Sequence, residues 1–411
     1  MPEFRALGDI LRVALLFLLE NAAGEAAGLP RGLLRVGGHV LARHQLALAL
    51  ALGCERVVCF ARQSDPEVIA LHHAAETGGA IFHLASSLHS LLSLVTAQDE
   101  VIALADGVLA WPDLAMELLG SAGVLSQPAE GAIEAGFERL DATHAAAGAI
   151  RFPGRLVAKL EELPSDIDIF STLQRLALQA GVPMRVLPED VAGTARWNLL
   201  TSEADAHAIE APWIAQHIAE SAPTPTQAVA IRCVRSFGPA LMHAGSGGTV
   251  VAIAAGVFAA LGVLAGWFGH GALGLCLAAL AWLGFSSASL MGRFERRCLL
   301  LPRPRTAPVL VYAAIMDGAL LLLLTAGLSL PGQGLLQAAF PPLMLLGLLR
   351  LVPRLPELRW AGLMEDRALW ALALALAEIF GLLPLAVCVS ALALLVGGVF
   401  TLARQNQLTP R

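Results

Sequence analysis

Apolar residues are distributed along this chain in two ways. Up to about residue 248 they come in short runs broken by charges, and beyond it they fuse into stretches close to bilayer length. In the first part Arg12–Leu18, Arg56–Ala61 and Val101–Leu104 read as buried strands. Val40–Leu52, rich in Ala and Leu and stopped by Gly53, predicts a helix, and Pro66–Thr77, closed by Gly78-Gly79, predicts another. Strand–helix–strand order points to an α/β open, mostly parallel sheet, whose ligands bind beyond the carboxyl ends of the strands. A buried first strand also explains Val13–Leu19 better than a signal peptide. That run ends in Glu20-Asn21, with no small-residue cleavage site.

Crossing a bilayer takes about 20 apolar residues at about 1.5 Å each. The runs Thr249–Phe268, Gly271–Leu290, Ala307–Leu328 and Leu335–Leu351 approach that length, while Ala368–Leu402 is too long for one crossing and contains Pro384. Splitting it in two predicts an all-α six-helix transmembrane domain. Arginine placement fits this count. Arg293, Arg296, Arg297, Arg303 and Arg305 share one loop, Arg350, Arg354, Arg359 and Arg367 the next, and Arg404 and Arg411 the tail. The alternate connections, Gly269-His270, Pro331–Gly334 and the turn at Pro384, carry no arginine or lysine. Basic loops stay cytoplasmic, which predicts a multi-pass protein of the inner (plasma) membrane with both termini cytoplasmic. The expected organisation is a cytoplasmic domain over 1–221, a linker and juxtamembrane segment over 222–248 hinged at Ala222–Thr226, a membrane domain over 249–403 and a tail over 404–411.

Composition sharpens the class. Of 411 residues 56% are hydrophobic and only 15% charged, against about a quarter charged in ordinary soluble domains, so part of the chain belongs in lipid. A net charge of −6 argues against nucleic acid as a partner. The six cysteines form no Cys-x-x-Cys pair and read as reduced, buried residues.

Few residues have the placement that chemistry needs. The loop Glu20–Arg31 after the first strand is rich in small residues, a composition that can bring backbone N–H groups and a cation against phosphates. It lacks a P-loop or dinucleotide pattern and carries Glu20 and Glu25, which would repel an anion, so by itself it reads as a plain surface loop. Asp106 stands at the end of the third strand, where a carboxylate holds a divalent ion against phosphates; an aspartate that merely turns the chain before Gly107 reads equally well. Asp317 lies mid-span. An acid there costs on the order of 3 kcal/mol or more unless it faces a partner or a wet cavity. A functional role is therefore the first reading and a buried polar contact between helices the second, with the cytoplasmic-end arginines, Arg293 above all, as the nearest candidate partners. Glu378 is a second intramembrane acid, expected to make a polar contact between helices. His72, His73 and Glu76 share a helix without further ligands at metal spacing and read as surface.

With these residues in view, the first half resembles the sugar-nucleotide and cytidylyltransferase type of nucleotidyltransferase. The resemblance runs through Arg12–Leu19, the loop to Pro30-Arg31, Leu33-Leu34-Arg35-Val36-Gly37-Gly38, His44-Gln45, Gly53–Val58 and Trp197–Asp205. It implies a nucleotide site with Arg31 in the place of a lysine, Asp106 as the metal aspartate and Thr201 where a second would stand. The membrane half is similar to CDP-alcohol phosphotransferases, which carry D-x-x-D-G-x-x-A-R…G-x-x-x-D-x-x-x-D and hold two metals and a CDP-linked donor on four aspartates. In this alignment Arg293 is kept, the first two aspartates are Phe285 and Ala288, the third is Ala313, and the last is Asp317. Two divalent ions need several oxygen ligands each, and phosphoryl transfer depends on metal and cation positioning, so one surviving carboxylate implies that membrane catalysis is lost.

The resulting expectation is a fusion of two degenerate modules acting as a regulatory or partner protein in phospholipid head-group synthesis, as a homodimer or paired with an active lipid synthase, in contact with membrane lipid. One alternative is an active enzyme that makes or transfers a CDP-activated head group using Mg²⁺ and CTP or a CDP-alcohol, with Arg31 and Asp106 at one site and Arg293 and Asp317 at the other. Another is a transporter of small molecules or lipid using Asp317.

Overall fold

The computed structural model describes residues 11–63, 65–164, 167–191, 194–218, 224–243, 247–302, 304, 307–329, 334–354 and 361–408. It divides into two compact units, Met1–His217 with Glu295–Pro302, and Ile218–Phe294 with Arg303–Arg411.

The first unit contains strands β1 (Arg12–Leu18), β2 (Arg35–Val36), β3 (His39–Val40), β4 (Arg56–Ala61), β5 (Ile81–Ala85), β6 (Glu100–Leu104), β7 (Val108–Ala110), β8 (Gly123–Pro128), β9 (His144–Pro153), β10 (Met184–Val186) and β11 (Trp197–Leu199). Its helices are α1 (Leu41–Ala51), α2 (Pro66–Thr77), α3 (Leu88–Leu94), α4 (Pro112–Leu118), α5 (Ala129–Ala132), α6 (Ile169–Gln179) and α7 (Glu203–His217). Seven strands form one sheet in the order β10-β8-β9-β6-β1-β4-β5. The sheet is parallel except for β9, which runs antiparallel to both neighbours. The pattern explains the centre: β1 is apolar at six successive positions because both faces are covered. Ala14, Leu16 and Leu18 join one core cluster, and Val13, Leu15 and Phe17 the other. The parallel strands β1, β4 and β6 end at one edge of this sheet.

The second unit is helical: α8 (Pro225–His243), α9 (Gly247–Trp267), α10 (Gly271–Cys298), α11 (Pro308–Leu328), α12 (Leu335–Leu351), α13 (Ala361–Glu365), α14 (Arg367–Ile379) and α15 (Leu383–Leu408). Among the described residues five helices are long and apolar enough to cross a membrane, namely α9, α10, α11, α12 and α15. This corrects the expected six. The run Ala368–Leu402 does break, at Phe380–Leu382, where Gly381 takes φ 71°, but its first part is the 13-residue α14. Such a helix is about 20 Å long, short of a hydrocarbon core about 30 Å thick. Pro384 sits in the first turn of α15, where a missing N–H removes no helical bond.

Helices α9 and α10 cross closely because small residues face each other. A Cβ on Gly274 would come within 2.6 Å of the Gly262 carbonyl oxygen, and one on Gly284 within 2.8 Å of the Ala255 Cβ. The approach segment with Arg232 and Arg235 is the helix α8, which exposes Val229 and Phe237. Part of the expected hinge (Ala222 and Pro223), Arg303, Arg305, Arg359, Arg411 and most of the Pro331–Gly334 turn lie outside the described residues.

Candidate functional site

In the first unit the loop leaving β1 folds back on itself. The Ala22 N–H donates to the Leu29 carbonyl (2.8 Å), the Arg31 N–H to the Glu20 carbonyl (2.8 Å), and the Ala23 N–H to the Thr201 carbonyl (2.8 Å). Against this loop stands Asp106, two residues past β6. Its Oδ2 accepts the backbone N–H groups of Leu19 (2.8 Å) and Glu20 (2.9 Å). Its Oδ1 is buried with no hydrogen-bond partner among the described residues. Burial raises the Asp106 carboxyl to about 7, against the opposing pull of the Glu20 and Leu19 N–H groups. The turn admits only glycine next to it: Gly107 takes φ 79°, and a Cβ there would lie 2.6 Å from the Leu200 carbonyl oxygen. Asp106 thus both turns the chain and anchors the β1 loop.

Gln45 holds that turn from below. Its Nε2 donates to the carbonyls of Ala105 (2.8 Å) and Val108 (3.0 Å), bracketing Asp106-Gly107. Arg31 is ion-paired to Glu20 of the same loop. Thr201 and Ser202 donate to Asp205, Thr201 through its hydroxyl at 2.7 Å; burial works to raise that carboxyl, but these hydrogen bonds hold it below its ordinary value. A cleft of about 310 Å³ opens over Asp106, walled by Glu20, Arg31, Arg62, Glu138, Asp168 and apolar side chains of β1 and α6. Glu138 pairs with Arg175 (2.5 Å), and Asp168 caps α6 by accepting the Ser171 N–H (3.1 Å). A second cavity of about 180 Å³ is lined by Asn21, Pro30, Arg62, Gln63 and Asp65.

In the second unit Asp317 is held by Arg350, through Oδ2, and by Arg367, through Oδ1 at 3.1 Å. Both partners belong to the basic-loop arginines that the sequence offers, but Arg293, the foremost candidate, is not one of them: on a helix, partners come from whichever neighbours pack against that face, and for α11 these lie on α12 and at the start of α14. Arg293 instead lines a cavity of about 130 Å³ with Ser286, Ser289 and Tyr312. At the positions aligned with the other aspartates, Phe285 stacks on Tyr312 (centroids 4.8 Å apart, planes at 13°), and Ala288 is buried. Beside Arg367, Asp366 is fully buried and accepts from the Thr226 N–H (2.8 Å) and hydroxyl (2.5 Å), joining α8 to α14. Glu378 faces the N-terminus of α10, where a Cβ on Gly271 would lie 2.0 Å from its Oε1. An acid at that end is favoured by the helix dipole.

The donor set does not fit a pair of magnesium ions. Among the described residues no three His, Cys, Asp or Glu side chains gather around a common point. Both Asp317 oxygens face guanidinium groups, and Phe285 and Ala288 offer no oxygen ligand. In the first unit Asp106 brings one unpartnered oxygen, with Glu20 turned to Arg31.

No protein-family profile matches the chain, and no curated protein matches it by sequence. Solved structures do resemble it. One is a protein of Bacillus anthracis assigned as a glucose-1-phosphate thymidylyltransferase and crystallised with a sucrose: 12% identity, TM-score 0.38, covering 49% of this chain and 94% of that one. Another is the inositol-1-phosphate CTP transferase of T. maritima, at 14% identity and TM-score 0.36, covering 48% of this chain and 92% of that one. The structural neighbours of the first half are nucleotidyltransferases.

Of the residues singled out from sequence, Arg31 and Asp106 line one cleft, whereas Arg293 and Asp317 do not pair. Gln45, Arg62 and the two arginines on Asp317 were not singled out as site residues. Gln45 stood only inside a resemblance motif, and Arg62 carries the one available signal, a basic residue directly after a buried strand of a parallel sheet.

Proposed function

We propose that this chain is a nucleotidyltransferase-like cytoplasmic unit fused to a CDP-alcohol-phosphotransferase-like membrane unit, and that the membrane unit no longer carries out metal-dependent transfer. The observation that carries this reading is the double ion pair of Asp317 with Arg350 and Arg367. A carboxylate neutralised twice, beside a stacked Phe285–Tyr312 pair, is equipped to hold helices together rather than to hold ions. The cytoplasmic cleft keeps its place at the strand ends and its basic residues Arg31 and Arg62, which supports binding of a phosphoanion such as CTP or a CDP-alcohol without a metal pair. The protein is then a partner in phospholipid head-group synthesis, as a homodimer or beside an active lipid synthase. It resides in the inner membrane as a multi-pass protein with its nucleotidyltransferase-like unit in the cytoplasm.

The test is turnover and assembly by the full-length protein in mild detergent. No Mg²⁺-dependent conversion of CTP or CDP-alcohols with alcohol phosphates is expected, and native mass spectrometry should show a homodimer or a complex with a phospholipid synthase. Mg²⁺-dependent turnover abolished by Asp317→Asn would restore the enzyme reading. A monomer under gentle extraction would remove the partner role, and Asp317-dependent flux in liposomes would favour a transporter.

A further inference from the structure

The cation expected to meet phosphate in the cleft is Arg31, and its Nη1 is occupied, while its Nε is buried without a partner among the described residues. Glu20, from the same loop, is ion-paired to its Nη1, and only 24% of the Arg31 side chain is exposed. An anion arriving at Arg31 has to displace a carboxylate that the loop itself supplies. The other acids of the cleft are also engaged. Glu138 faces Arg175, Asp168 caps α6, and Asp106 binds two backbone N–H groups.

Arg62 is placed differently. It follows β4 directly, so the end of a buried parallel strand fixes its backbone at the carboxyl-end edge of the sheet. Its side chain is exposed and makes no hydrogen bond or ion pair among the described residues. It is also a wall of both cavities, the larger over Asp106 and the smaller bounded by Asn21, Gln63 and Asp65. A ligand reaching from one cavity into the other passes this guanidinium. Planar guanidinium groups bind phosphate oxygens through paired N–H donors.

Resting on the reading that this cleft takes a phosphoanion, we propose that Arg62, not Arg31, is the cation that receives the phosphate of a pyrophosphate-bearing ligand spanning the two cavities. Glu20 acts as an internal competitor that withholds Arg31. The site thereby recognises phosphate through a residue outside the loop whose composition advertises it.

Calorimetric titration of the full-length protein in detergent with inorganic pyrophosphate and with CTP, without and with Mg²⁺, tests this. Arg62→Ala should weaken both probes by about tenfold or more, the scale of a lost charge-assisted contact, and Arg62→Lys should restore part of the loss. Arg31→Lys should weaken binding less than Arg62→Ala does, and Glu20→Gln, which frees Arg31, should tighten it by roughly threefold, the size of a weak ion pair. Since Arg62 is exposed, its variants should melt with the parent. Undiminished binding in Arg62→Ala, or loss confined to Arg31→Lys, would overturn the assignment while leaving the cleft a phosphoanion site. Failure of the parent protein to bind either probe would instead overturn the underlying reading of the cleft, and the assignment with it.

Discussion

Replacing Asp317 by asparagine should destabilise the membrane unit, and the structure sets the scale. The change leaves Arg367, whose side chain is 7% exposed, and Arg350, 44% exposed, facing a neutral amide. Removing one partner of a buried ion pair costs about 3–5 kcal/mol, because the remaining charge stays desolvated. Arg350 can turn to water, so its share is that of a surface pair, about 0–1 kcal/mol. Arg367 keeps a hydrogen bond to the Glu365 carbonyl (3.0 Å), which offsets part of the loss. A net destabilisation of about 2–4 kcal/mol follows. Arg367→Gln alone should cost less, since Asp317 retains Arg350, and the double variant should cost less than the sum, with a coupling of about 1–3 kcal/mol. Unfolding of the full-length protein by SDS in mixed micelles, followed by tryptophan fluorescence with and without Mg²⁺, measures all three corners. If Asp317→Asn unfolded no more readily than the parent, or if Mg²⁺ stabilised the parent and not this variant, the guanidinium cage would be the wrong description and a metal site the right one.

Asp106 gives a pH-dependent test. Its carboxyl is raised to about 7 by burial, so between pH about 4 and 7 the folded chain binds more protons than the unfolded one, and stability falls as pH rises through that window. Asp106→Asn should therefore gain on the parent between pH 5 and pH 8, by on the order of 1–3 kcal/mol in chemical unfolding, and a constant difference would refute the shift. Gln45→Leu leaves the Ala105 and Val108 carbonyls without their donor and should cost about 1–3 kcal/mol, with faster proteolysis near the Asp106 turn as the local readout. Gly274→Leu drives a side chain into the Gly262 carbonyl and Leu323, so α9 and α10 must separate; a lower melting midpoint in detergent checks it, and an unchanged one would mean that the helices do not cross so closely.

Local pattern decided more of this protein than its poor motifs suggest. β1, β4 and α2 begin and end where their apolar runs do, because burial on both faces of a parallel strand and a closing Gly78 are properties of adjacent residues. The place of Asp106 at a strand end, and a chain divided between water and lipid, follow from the same short-range information. What each acid meets does not. Asp317 finds Arg350 and Arg367 at 33 and 50 residues' distance, and Asp106 reaches back 86 and 87 residues to the β1 loop. Which charges pair across such gaps is set by the helix faces and strand ends that packing brings together, and no period or spacing along the chain records it. The same holds for α14, apolar enough to be read as a span but ended early by the turn at Gly381. Sequence alone assigned the solvents and the strand-end location of the cleft; tertiary packing assigned the partners, and with them whether a carboxylate there is open to an ion or already neutralised.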